Sequence, residues 1–199
     1  MEFDLRHREI AAILVLVLLA TLTDPRARAP SSRPFLPPPP AGAPLAVKNV
    51  IAGWPPVPRA LAAICLKRFG RPDLAAPSRL SWSARPPWSR VVVFRDAPSG
   101  SRPAHLLEAV AYGPVSPARL GELAALGFGA VYDPATGELS ARTDGEATNF
   151  LALNLADDVL QGRRDAADAR AFYAATLDLA LSGKTSPYMT GLRFQPRGR

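Results

Sequence analysis

Phe128–Gln161, FGAVYDPATGELSARTDGEATNFLALNLADDVLQ, decides the fold. Its first half is a hairpin. Phe128–Tyr132 and Glu138–Arg142 flank Asp133-Pro134-Ala135-Thr136-Gly137, a Pro/Gly turn between two runs with strand alternation. Its second half switches to the helical period. Asp144 reads as the N-cap, and Leu151, Ala152, Leu155, Ala156, Val159 and Leu160 form one apolar stripe. Glu146, Asn154, Asp157, Asp158 and Gln161 gather opposite, which predicts a solvated face. A hairpin followed directly by an amphipathic helix implies an antiparallel sheet with helices packed on it.

On the C-terminal side, Gly162 stops this helix and Asp165 caps a second one running to about Ser182. So short a connection makes the two an antiparallel helix pair. On the N-terminal side, Ser116 and Pro117 open a short helix closed by Gly127. Leu106–Tyr112 reads as a strand, Trp88–Asp96 (WSRVVVFRD) as the strongest strand of the chain, and Leu80–Ala84 as its neighbour. Val57–Phe69 is a helix stopped by Gly70. The order is an α+β fold with an antiparallel sheet of about five strands and packed helices.

The chain begins differently. Ile10–Thr23 (IAAILVLVLLATLT) carries no charge. Its length suits a signal-peptide core and is short of the roughly 20 apolar residues that span a bilayer. Pro34, Pro37 to Pro40 and Pro44 then hold an extended spacer. The expected organisation is a signal peptide or N-terminal membrane anchor over 1–24, a Pro-rich linker over 25–47, and a single α+β domain over 48–196. The location expected is a bacterial cell membrane or beyond it, facing the periplasm or exterior. The membrane contact is through residues 10–23, and a protein or cell-envelope partner is possible in that setting.

The net charge is +7. Residues 45–143 hold 12 basic and 6 acidic residues, 144–182 hold 3 and 7, and 183–199 hold 4 and none. This alternation predicts complementarity within the fold. Basic headgroup attraction is a second use of the same charge. A nucleic-acid surface is a weaker reading, since the cations are scattered singly with no basic helix face. The lone Cys65 rules out an intramolecular disulfide and sits in an apolar helical pattern.

Candidate chemistry is sparse. His105 is the only histidine beyond the apolar start, and with Glu108 it is the one acid–base candidate for a hydrolase or metal-dependent enzyme. Three residues apart on a strand, the two would face opposite ways. Asp157 and Asp158 are the candidate metal ligands, although a solvated helix face explains them as well. Asn149 falls within its helix's apolar stripe, and Arg170 lies among Tyr173, Ala174, Leu177 and Leu181. Both are expected in a buried polar network. No phosphate loop, nucleophile elbow or zinc motif occurs, and no cofactor is expected.

Gly137–Asp158 (GELSARTDGEATNFLALNLADD), with Ala169–Tyr173, Gly53-Trp54 and Phe69–Pro72, resembles a set of exported bacterial proteins of unknown function. The resemblance spans about residues 48–194. It implies export and a single domain, and supplies no activity. The expectation is a binding or structural module, with an enzyme using His105 as the alternative and a basic nucleic-acid binder third.

Overall fold

The computed structural model describes residues 47–98 and 104–197, which fall in one compact unit. Ile10–Thr23 and the Pro-rich tract lie outside the described residues. Among those described, no helix is long and apolar enough to cross a membrane.

Two helices come first, α1 (Val47–Ala52) and α2 (Pro56–Phe69). Strands β1 (Leu74–Ala76), β2 (Arg79–Arg85), β3 (Trp88–Phe94) and β4 (Leu106–Ala111) follow. Then come helix α3 (Pro117–Ala124), the hairpin β5 (Ala130–Asp133) and β6 (Glu138–Thr143), and helices α4 (Glu146–Leu160) and α5 (Ala166–Leu181). A 3-10 turn, Pro187–Met189, precedes the tail. The strands form one six-stranded, fully antiparallel sheet in the order β1-β2-β3-β4-β6-β5. The α+β class therefore holds, with one strand more than expected. The extra strand is β1, three residues paired with Arg79–Ser81.

The pairing register sorts the sheet into two faces. Trp82 lies opposite Val91, Val91 opposite Glu108, and Glu108 opposite Ala141. Leu80, Val93, Leu106, Val110 and Leu139 share that face and join the apolar core. Helix α2 packs on it over β2 and β3, and α4 over β4, β5 and β6. The other face is mixed, with Val92, Leu107 and Phe94 among polar residues. There Arg90 donates to Glu138 at 2.9 Å, and the Arg142 guanidinium lies 3.7 Å from the centre of the Phe94 ring. Gly129 (φ 86°) lets the chain enter the hairpin, because a Cβ there would lie 2.7 Å from the Arg142 carbonyl oxygen.

Three local expectations need correcting. The N-cap of α4 is Gly145, and Asp144 is exposed. Arg170 is also exposed and donates to the Ala125 carbonyl at 2.7 Å, so it belongs to no buried network. Most consequentially, α4 has no solvated face. Every residue from Leu151 to Leu160 is buried, including Asn154, Asp157 and Asp158. The cause is non-local. Helices α3 and α5 and the 3-10 turn all pack against α4. The tail is pinned there by Asn154, whose Nδ2 donates to the carbonyls of Tyr188 (3.0 Å) and Gly191 (2.8 Å) and whose Oδ1 accepts from the Arg193 amide (2.7 Å).

Candidate functional site

Two polar constellations lie along α4, one near each end. At the N-terminal end is a buried carboxyl. Glu108, on the core face of β4, is 1% exposed. Asn149 of α4, fully buried, donates from Nδ2 to Glu108 Oε2 (3.0 Å) and to the Leu106 carbonyl (3.2 Å). Its Oδ1 accepts from Thr143 Oγ1 at 2.8 Å. The amide of Asn149 is thereby saturated, as a buried amide must be. Burial pushes the Glu108 carboxyl up to about 7, against the lowering effect of the Asn149 hydrogen bond. Burial, with Glu108 nearby, also pushes the Cys65 thiol of α2 up to about 12, which leaves it a thiol and a poor nucleophile. At the rim of this cluster, Arg68 of α2 and Glu146 of α4 form an ion pair across the two helices.

His105 does not join Glu108. It sits just before β4, where its carbonyl accepts from the Phe94 amide (2.8 Å) and its Nδ1 lies 3.1 Å from the Phe94 carbonyl oxygen. On an extended chain, residues 105 and 108 project to opposite faces of the sheet. Glu108 looks into the helix layer, and His105 does not.

At the C-terminal end of α4 the two aspartates meet four partners. Asp157 Oδ1 accepts from the Tyr112 hydroxyl at 2.5 Å, and Oδ2 pairs with Arg163. Asp158 Oδ1 accepts from Arg163 Nε at 2.7 Å. Asp158 Oδ2 accepts from Arg164 Nε (3.3 Å) and from the Tyr188 hydroxyl (2.7 Å). Gln161 Nε2 adds a donor to the Tyr112 oxygen at 3.1 Å. Burial, then the bond to Asp157, pushes the Tyr112 hydroxyl well above its usual range, so it stays a donor. The four carboxylate oxygens are all engaged, and among the described residues no group of three His, Cys, Asp or Glu is placed to hold a metal.

This network floors an open cleft of about 300 Å³. Tyr112, Asp157, Gln161, Arg163, Gln195 and Arg197 supply its polar lining. Arg197 is fixed by its own backbone amide, which donates to the Ala111 carbonyl at 3.0 Å, and its guanidinium packs against Gly113. Beyond Gln195 and Arg197 a second cleft of about 370 Å³ opens, floored by Trp88 and the prolines Pro86, Pro87 and Pro196. The buried indole N–H of Trp88 has no hydrogen-bond partner among the described residues.

Sequence reasoning singled out Asn149, Glu108, Asp157 and Asp158, but paired them wrongly. Glu108 belongs with Asn149, and the aspartates belong with arginines and tyrosines rather than solvent. Tyr112, Arg163, Tyr188 and Arg197 went unnoticed. Their one signal was the basic pair Arg163-Arg164 directly after Asp157-Asp158.

No protein-family model, curated protein or solved structure matches the chain.

Proposed function

We propose that this chain is an exported or membrane-tethered binding module that takes a small anionic ligand, without chemistry, in the Tyr112–Arg197 cleft. The observation that carries the reading is the construction of the cleft. Its floor is internally satisfied and fixed to α4, with Arg163 paired to Asp157 and Asp158, while Arg197 brings positive charge to the opening. Guanidinium groups held this way suit a carboxylate or phosphate. Tyr112, kept protonated, and the Gln161 amide supply further polar contacts. The export half of the proposal rests on the uncharged run Ile10–Thr23 and the proline spacer that follows it.

Thermal unfolding of the chain with inorganic phosphate, a dicarboxylate and a neutral sugar tests the ligand class. The expected result is an upward shift with an anion, none with the sugar, and loss of the shift in Arg197→Ala. Equal response to all three, or to none, would overturn it.

A further inference from the structure

The outer face of α2 has no role in either constellation. Val57 is 51% and Ile64 62% exposed, two of the few large aliphatics left in solvent. Seven residues apart, they lie two helical turns from each other on one side. Ala60 and Ala63, both exposed, extend the same outward side, while Pro58, Ala62 and Cys65 face the core. Arg59 and Lys67, on the same helix, are exposed, as are Lys48 and Arg71 in the segments on either side of it. Arg68 is tied to Glu146. From Val47 to Pro72 there is no acidic residue at all. Exposed aliphatic side chains and cations thus coincide here without a carboxylate in the local sequence. In sequence it is the second helix after the proline tract that follows Ile10–Thr23.

We propose that the outer face of α2 seats on an anionic phospholipid surface, with Val57 and Ile64 entering the headgroup boundary and Arg59 and Lys67 meeting lipid phosphates. An interfacial helix needs an apolar strip and a cationic border, and each cation near an anionic leaflet adds attraction that falls away within a Debye length. The long stems of Arg59 and Lys67 can lie along the strip with their charges in the headgroup layer. This rests on the tethered half of the proposed function and is independent of the ligand cleft.

The test uses the full chain with a nitroxide attached through Ala60→Cys, Cys65 being buried and out of reach. The chain is added to phosphatidylcholine vesicles with and without phosphatidylglycerol. Collision of the label with oxygen and with an aqueous nickel complex reports whether it touches lipid. On anionic vesicles the label is expected to become shielded from nickel and open to oxygen. It should stay in water on neutral vesicles and in an Arg59→Glu/Lys67→Glu background. A label that stays in water on anionic vesicles overturns the proposal, as does shielding by duplex DNA without shielding by vesicles. Co-sedimentation of the charge-reversed chain with neutral vesicles reports separately on residues 10–23, so failure of the tether and failure of the face are told apart.

Discussion

At the scale of single residues, the most consequential is Glu108. A carboxyl sealed between sheet and helices titrates late. Its pKa is about 7 in the fold and 4.5 in the open chain. The folded state therefore holds the proton more tightly. The contribution is intact below about pH 4.5, where both states are protonated, and is lost as pH rises through 7. The shift corresponds to about 3 kcal/mol, at about 1.4 kcal/mol per unit. Urea unfolding at a series of pH values should show stability falling across this window. In Glu108→Gln the decline should flatten, because the amide keeps the neutral form at every pH. A wild-type profile rising from about pH 5 to about pH 8 would contradict this. Asn149→Ala strands the Glu108 carboxyl and removes a bond from the Leu106 carbonyl, while the Thr143 hydroxyl keeps its bond to the Gly145 carbonyl at 3.0 Å. It should cost about 2–4 kcal/mol by the same measurement. Arg170→Ala, by contrast, removes a surface contact to one carbonyl and should change stability by less than about 1 kcal/mol.

At the scale of elements, α4 organises the molecule. It is buried from Leu151 to Leu160, and three of its polar residues in that span serve to bind other parts of the chain. Asn154 fastens the tail, Asp157 fastens β4 through Tyr112, and Asp158 fastens both the 3-10 turn through Tyr188 and the turn before α5 through Arg163 and Arg164. The tail is therefore structural. A chain ending at Gly183 should lose cooperative unfolding or several kcal/mol of stability, since Asn154 and Asp158 lose their bonds to the tail and the core loses the packing of Tyr188, Met189, Leu192 and Phe194. Thermal melting by circular dichroism checks this; an unchanged melt would show that the tail merely rests on α4. Tyr112→Phe keeps the ring packing against Tyr132 and Phe194 and removes two hydrogen bonds, one given to Asp157 and one accepted from Gln161. It should cost about 1–2 kcal/mol.

Which elements were legible follows from how local their signals are. The hairpin, β3, and the apolar stripe of α4 are written in a period of two or a near-period of 3.6 over several residues. Gly70 (φ 74°) and Gly137 (φ 67°) sit where a left-handed conformation ends a helix or closes a turn, as their neighbours indicate. Strand β1 is three residues after a proline, too short to show a period. The polar side of α4 carries the pattern of a solvated face because hydropathy records only the helix itself. What covers it comes from 30 or more residues downstream, where Tyr188 and Arg193 return. Asn149 was detectable because one amide in an apolar stripe is a local anomaly. Its partner Glu108 lies 41 positions away and could be identified only from the register of the sheet.

At the scale of the whole molecule, among the described residues one ion pair joins two of the charge blocks. The acidic segment 144–182 meets Arg68 from the N-terminal block, while its own Arg163 and Arg164 neutralise Asp157, Asp158 and Asp168. Among the described residues, Arg197 at the cleft rim and Arg59 and Lys67 on α2 are among the cations outside these ion pairs. On the proposed reading the domain is held by residues 10–23, Arg197 serves a soluble anion and the α2 cations serve lipid.

The most direct test of that arrangement is to express the intact chain in a bacterial host, add protease to spheroplasts and read the N-terminus by mass spectrometry. The account predicts that residues 47–197 are accessible from outside. It also predicts that the chain is either retained with its first residues or cut near Ala29. A chain fully protected inside and released with the cytosol would contradict it.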